Sequence, residues 1–284
     1  MTQPTAIDNI IPRSTILSFI HKLQNSCQKN KSYLCVGLDP DPRLMPPDTN
    51  TKEFILRIVE STSDLVCAYK INFAFFEAMG ESGFQNLKYA RDSIPGNIPV
   101  IADAKRADIG NTSLGYAEAI FGIMGFDAVT VNPYMGYDSI LPFISYTDRG
   151  VFVLCRTSNP GASDFQDLCA TNGDQTLPLY QMVSIKAREW NQHGNIGLVV
   201  GATWPEEIKI IRKQNPEMPL LIPGVGAQGG CIDLVSKYAI GPDGKMGIIN
   251  SSRSIIHASA GKYYDKAARS KAEELRNQIN LYRR

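Results

Sequence analysis

The chain has 284 residues, a formal net charge of +1, 43% hydrophobic residues and 20% charged residues. That length supports a substantial core, and the balanced charge gives no global attraction to nucleic acid or to an acidic membrane. The composition is that of a globular protein without low-complexity tracts, and no apolar stretch approaches the ~20 residues that a bilayer span requires.

Residues 1–14 are mixed polar with two prolines and lack the apolar core of a signal peptide, so the expected location is the cytoplasm. Ile16, Ile20 and Leu23 are spaced for one face of a helix. The first strand is expected over 33–38, leading into Gly37-Leu-Asp39-Pro. Phe54, Ile55, Ile58 and Val59 mark the apolar face of the next helix. A second strand over 66–71 carries Lys70 and leads to Asn72, and a third over 99–103 ends in Asp103. The segment from there reads Asp103-Ala-Lys105-Arg-Ala-Asp108-Ile109-Gly-Asn-Thr112, and a helix is expected over 111–121. A fourth strand over 128–131 runs into Asn132. A fifth over 151–155 is followed by Arg156-Thr157-Ser158-Asn-Pro160, a long loop at 164–175 and a helix over 177–192. A sixth strand over 196–200 precedes Thr203, Trp204 and a helix over 205–214. The seventh, over 220–223, opens Pro223-Gly-Val-Gly-Ala-Gln228-Gly-Gly. The eighth, over 246–250, opens Asn250-Ser-Ser-Arg253, and a last helix covers 263–281.

Most of these runs are continuously apolar, as parallel strands covered on their outer face are. Eight of them alternating with helices predict an α/β fold of the (β/α)8 barrel type, with a single domain over 1–284 and a barrel core over about 30–255. The rival is an open doubly wound sheet, which carries a glycine-rich dinucleotide turn after its first strand. Gly37-Leu-Asp-Pro-Asp-Pro-Arg43 has no such fingerprint. The six cysteines are dispersed, with Cys35, Cys67 and Cys155 inside apolar runs, and reduced buried thiols are expected. The three histidines, His21, His193 and His257, have no partner at metal-ligand spacing, so no metal is assigned. His257 and Trp204 read as packing or surface residues.

In a barrel the active site lies at the C-terminal ends of the strands. There the sequence places Asp39, Lys70, Asp103 and Lys105, an alternation of carboxylates and ammonium groups that keeps each partner charged. Asp103 and Lys105 are two apart and share a strand face. A fixed ammonium can stabilise a carbanion or give it a proton. The plain alternative is a structural ion-pair network. Asp108 lies at an odd offset from Asp103, beyond the strand: it caps the following helix or points toward a neighbouring subunit. The glycines after the seventh strand and Arg253 after the eighth stand where barrels commonly hold phosphate. Thr157 and Ser158 can read the edge of a heterocycle, or simply turn the chain into its loop.

Together these motifs resemble the orotidine 5′-phosphate decarboxylase family, in its longer bacterial-type branch, over about residues 30–255. The segment 103–112 resembles the family signature, with Ala107 where many members have glycine. Gly37-Leu-Asp39-Pro, Lys70-Ile-Asn72, Thr157-Ser-Asn-Pro160, the 223–228 loop and Asn250-Ser-Ser-Arg253 are supporting likenesses. The resemblance implies a homodimer that converts orotidine 5′-monophosphate to UMP and carbon dioxide without metal or organic cofactor. It implies that Asp39, Lys70 and Asn72 hold the ribose, with Lys70 also ordering the charges. Asp103 would face the scissile carboxylate and Lys105 would protonate C6. Thr157 and Ser158 would contact the pyrimidine, and Gln228 and Arg253 the phosphate, beside Pro223 in the substrate-binding set. Asp108, Ile109 and Thr112 would enter from the partner subunit.

Three rivals stay in view. A sugar-phosphate decarboxylase or aldolase on a similar barrel shares an Asp-x-Lys-x-x-Asp pattern but uses magnesium. A Schiff-base lyase needs a neutral lysine, which the carboxylates oppose. A non-catalytic nucleotide sensor does not require the Asp103, Lys105 and Asp108 set.

Overall fold

The structure is a computed structural model that describes residues 18–226, 231–240 and 246–283. Eight strands run parallel: β1 Leu34–Leu38, β2 Ala68–Asn72, β3 Val100–Arg106, β4 Ala128–Val131, β5 Gly150–Arg156, β6 Ile196–Val200, β7 Leu220–Pro223 and β8 Gly247–Ser251. Each pairs with its chain neighbours, and β8 closes on β1, so the sheet has no open edge. β1, β4, β6 and β8 are buried along their whole length, which is why β1 and β6 are continuously apolar rather than alternating and why the polar residues of β4 and β8, Thr130, Asn250 and Ser251, stand out.

The expected strands stand within two residues of the observed ones except at the end of β3, which continues through Lys105 to Arg106. Its pairing with β4 shifts register between Ala102 and Arg106, a bulge at the barrel rim. Lys105 takes a left-handed backbone there, with φ +49°.

The helix Phe19–Lys29 closes the N-terminal end of the barrel. Phe19 meets Phe152 edge-on with ring centroids 5.7 Å apart. Gly150 makes the space, because a Cβ there would lie 2.4 Å from the Phe19 ring. Lys22 reaches Asp127 at 2.7 Å, and Asp127 also accepts from the backbone N–H of Val100 at 2.9 Å. Ile16, expected on the same helix, lies outside the described residues.

Helices Thr51–Thr62, Pro205–Gln214 and Tyr264–Asn280 match the expected segments. The expected 111–121 helix is an α-helix over Gly110–Ala117 that widens to a π-helix over Glu118–Ile123. Two expectations need correction. Part of the 164–175 loop is a two-stranded hairpin, Cys169–Asn172 with Gln175–Pro178. Leu177 therefore belongs to the hairpin, and the helix begins at Leu179, running Leu179–Trp190. Helices Phe73–Glu77, Glu81–Asp92, Tyr137–Ile144 and Ile232–Ile240 were not expected from periodicity. Cys27, Cys35, Cys67 and Cys155 are buried, whereas Cys169 and Cys231 are exposed. No described helix is long and apolar enough to cross a membrane.

Candidate active site

At the C-terminal ends of the strands the barrel opens into a cavity of about 250 Å³. The register of β2 against β3 pairs Asn72 with Asp103, so Lys70 and Asp103 project into it from adjacent strands. Lys70 Nζ lies 2.8 Å from Asp103 Oδ2, and Lys105 Nζ lies 2.6 Å from Asp103 Oδ1. Thr130 of β4 donates to the same Oδ1 at 3.1 Å and accepts from the backbone N–H of Lys105 at 3.0 Å. One carboxylate thus joins two ammonium groups and a hydroxyl.

Burial alone would push the Asp103 carboxyl up, but Lys70 and Lys105 outweigh it and hold the group well below the ordinary carboxylate range. Burial likewise draws the Lys70 ammonium down, while the charges of Asp103 and Asp39 lift it above the ordinary lysine value. Both groups therefore stay charged through neutral pH. Lys105 stands at the rim with its side chain half exposed and does not line the cavity floor.

Asp39 follows β1 and is buried. Ser252 donates to its Oδ2 at 2.6 Å, with the Gly37 carbonyl at 3.1 Å as a second acceptor. Gly37 is needed for that approach: a Cβ there would lie 2.7 Å from the Ser252 Cβ. His257 brings Nε2 to 3.3 Å from the Asp39 carbonyl oxygen and stacks on Phe54 at 5.3 Å. Burial lowers its pKa, so the neutral ring serves as a brace for the β1 loop. It is the packing residue expected, placed behind a site residue.

Asn72 caps the Phe73–Glu77 helix by accepting from Ala74 N–H at 3.1 Å, which leaves its amide NH2 for the cavity. Ser158, Pro223 and Arg253 also line the cavity, from the ends of β5, β7 and β8. Thr157 does not line it, because its hydroxyl is engaged by Asn159 at 2.7 Å and Gln166 at 2.8 Å. Gln228 lies outside the described residues. Asp108, Ile109 and Thr112 do not line the cavity of this chain. Asp108 is half buried and accepts from Ile109 N–H at 2.7 Å, while Ile109 is 60% exposed and forms the N-cap of the next helix without a side-chain cap.

Sequence reasoning missed Thr130 and Phe75, and it placed Asn250 and Ser252 at the site end of the eighth strand without giving either a role of its own. Thr130 and Asn250 carry a legible signal, a polar residue inside an otherwise apolar strand. Phe75 carries none, since an aromatic residue in the apolar run Phe73-Ala-Phe75-Phe76 reads as packing.

A family model described as orotidine 5′-phosphate decarboxylase / HUMPS family matches residues 32–265. The orotidine 5′-phosphate decarboxylase of Dehalococcoides mccartyi strain CBDB1 is 48% identical over 268 residues, covering 94% of this chain and 99% of that protein. The solved OMP decarboxylase of Leishmania donovani superposes with a TM-score of 0.81 at 37% identity, covering 94% of this chain and 98% of that one. Against the UMP synthase of Leishmania donovani the TM-score is 0.82 at 39% identity, covering 93% of this chain but 57% of that longer one. The barrel, the charges at the ends of β2 and β3, and these matches over nearly the whole chain agree: the chain belongs to the orotidine 5′-phosphate decarboxylase / HUMPS family.

Proposed function

We propose that this chain decarboxylates orotidine 5′-monophosphate to UMP and carbon dioxide, the closing step of pyrimidine nucleotide synthesis. The observation that carries the reading is Asp103 held ionised between the Lys70 and Lys105 ammonium groups at the cavity. Its relatives bear the name of that activity.

Breaking the bond between C6 and the carboxylate leaves an electron pair at C6 with no good electron sink. Asp103 faces the departing carboxylate, whose charge it opposes in the ground state. Lys105 stands beside C6, stabilises the developing carbanion and delivers a proton to it as carbon dioxide leaves. The neutral Lys105 amine then regains its proton from solvent. Asp39, Lys70 and Asn72 hold the ribose hydroxyls, and Ser158 contacts the pyrimidine, while Thr157 supports it from behind through its bonds to Asn159, Gln166 and Trp204. Pro223, Gln228 and Arg253 surround the phosphate, whose remote binding energy orients the ring. No metal or organic cofactor takes part in this reading.

The active form is a homodimer in which Asp108, Ile109 and Thr112 complete the partner's site. The support is an apolar face: Ile109 is 60% exposed, Tyr134 87%, and Leu114, Tyr137 and Leu141 are also exposed on the adjacent helices Gly110–Ala117 and Tyr137–Ile144. Contiguous exposed apolar groups of this kind mark protein interfaces. Residues 1–284 act as one barrel domain in the cytoplasm.

The test follows the absorbance of orotidine 5′-monophosphate with wild type and Lys105→Ala. Turnover by the wild type and its loss in the variant are expected. Full activity in Lys105→Ala overturns the mechanism, and an inert wild type overturns the function.

A further inference from the structure

Arg156, at the end of β5, is 1% exposed. It is a buried charge that the proposed chemistry does not use. Its guanidinium carbon lies 4.1 Å from the Trp204 ring centroid and 5.4 Å from that of Tyr180. Nη1 is 2.8 Å from Asp167 Oδ1 as an ion pair, and Nη2 donates to Oδ2 at 3.3 Å. Asp167 belongs to the segment after β5, just past the short helix Ser163–Gln166, and its side chain is 46% exposed.

Between the two halves of this pair lies Ser158, the residue of that stretch that lines the cavity. Trp204 donates its indole N–H to the Thr157 carbonyl at 2.8 Å. Gln166 accepts from Thr157 N–H at 2.9 Å. The backbone N–H of Gly201 donates to the Arg156 carbonyl at 2.7 Å, and a Cβ on Gly201 would lie 2.8 Å from the Ser158 backbone nitrogen. Ser158 is thus seated against β6 by contacts at Arg156, Thr157 and Gly201, and it lines the cavity.

A well-packed apolar side chain beneath Trp204 would avoid the cost of desolvating a charge. The guanidinium adds something an apolar group lacks: when the loop lifts, its charge loses its answer. That makes docking of the loop close to all-or-none. We propose that Arg156 and Asp167 form a latch that positions Ser158, tying the loop after β5 to the barrel and so fixing the wall that meets the pyrimidine. The inference rests on the reading of this cavity as an orotidine 5′-monophosphate site. Arg156 and Asp167 are positioning residues. The charges that do the chemistry stand on β2 and β3, apart from the latch.

The latch therefore separates binding from turnover. Asp167→Ala is expected to raise KM for orotidine 5′-monophosphate and Kd for UMP by about tenfold, while kcat stays within about twofold. Its melting temperature falls by several degrees, since the buried Arg156 charge is left without its carboxylate, and kcat does not follow that fall. Asp167→Asn keeps an acceptor and falls between. Arg156→Met matches Asp167→Ala, and the double variant is no worse than the worse single, as members of one coupled pair behave. If Arg156→Met does not fold, Arg156→Lys supplies that corner of the cycle, keeping the charge and losing the fork. Unchanged KM and Kd in Asp167→Ala, losses that multiply in the double variant, or a fall in kcat at constant KM each overturn the latch. A wild type that binds UMP without turning over substrate overturns the proposed activity while Kd still decides the latch. A wild type that does not bind UMP overturns both.

Discussion

Lys105 reaches Asp103 at 2.6 Å from a backbone with φ +49°, a conformation that costs a non-glycine residue energy. The bulge that imposes this φ turns the lysine to the rim, while Asp103 stays within reach of Lys70 below. Strain of this kind persists where the surroundings over-determine it, and here Thr130 holds the Lys105 N–H.

Comparing two truncations measures that strain. Both Lys105→Ala and Lys105→Gly remove the ammonium, so both are expected to lose turnover. Glycine tolerates the left-handed backbone and alanine does not, so Lys105→Gly is expected to be the more stable by about 1 kcal/mol in chemical denaturation. Equal stability would mean that the rim relaxes freely.

The pH dependence follows from the Asp103–Lys70 pair. The folded-state pKa of Asp103 is depressed, so its contribution is present above the unfolded value near 4 and is lost as pH falls through the folded value. The folded-state pKa of Lys70 is raised, so its contribution is present below the unfolded value near 10.5 and is lost as pH rises through the folded value. Neither group titrates near neutrality in the wild type. Asp103→Ala reverses the balance at Lys70, because burial then outweighs the remaining charge. The variant is expected to lose about 3 kcal/mol at pH 7 and to recover part of it as pH rises toward 9. Urea denaturation across that range checks the sign; a penalty constant with pH would show that Lys70 finds water or another partner.

Gly37 and Ser252 test the support behind Asp39. An alanine at 37 would push against Ser252 Cβ at 2.7 Å and draw its hydroxyl from the Asp39 carboxylate. Gly37→Ala is expected to lower kcat/KM about tenfold through a weaker hold on the ribose, and Ser252→Ala to do the same without the steric strain. Matching kinetics with lower stability in Gly37→Ala alone would confirm that order of cause; wild-type kinetics in both would remove Ser252 from the site.

The parts of this protein that were legible in the sequence share a physical reason. Buried parallel strands need apolar residues without interruption, so Ile196–Val200 and Leu220–Pro223 read directly. The hairpin Cys169–Asn172 with Gln175–Pro178 did not, because it lies outside the barrel and has no buried face to impose alternation. Tyr137–Ile144 hid behind Pro142, which argues against a helix unless neighbouring packing overrides it. Asp103 and Lys105 announced themselves because charges beside an apolar run need an explanation. The partners of Ser252 and Thr130, Asp39 and Asp103, became visible only when the barrel brought β8 beside β1 and β4 beside β3.

Chelation separates the proposed chemistry from a metal-dependent relative on the same barrel. Lys70 Nζ lies 2.8 Å from Asp103 Oδ2, and Asp39 helps keep it charged. A divalent ion bridging the two carboxylates would have to stand against that ammonium. Activity is expected to remain within about twofold after dialysis against EDTA. A large loss restored by magnesium would favour the sugar-phosphate reading instead.

The shared-site proposal makes a quantitative prediction for mixed subunits. Lys105→Ala and Asp108→Ala homodimers each carry two damaged sites and are expected to be nearly inactive. After the two are mixed in equal amounts and allowed to exchange, half the dimers are hybrids. If Asp108 crosses the interface, one site of each hybrid receives both damaged residues and the other receives neither. About one quarter of all sites are then intact, and the mixture should recover about one quarter of wild-type activity. If Asp108 serves its own subunit, every site keeps one lesion and nothing is recovered. Tyr134→Asp places a charge on the apolar face, where Tyr134 is 87% exposed, and should shift the protein toward monomer in sedimentation while lowering activity in step. A monomeric Tyr134→Asp protein with full activity would separate the dimer from catalysis, whatever the mixing experiment returns.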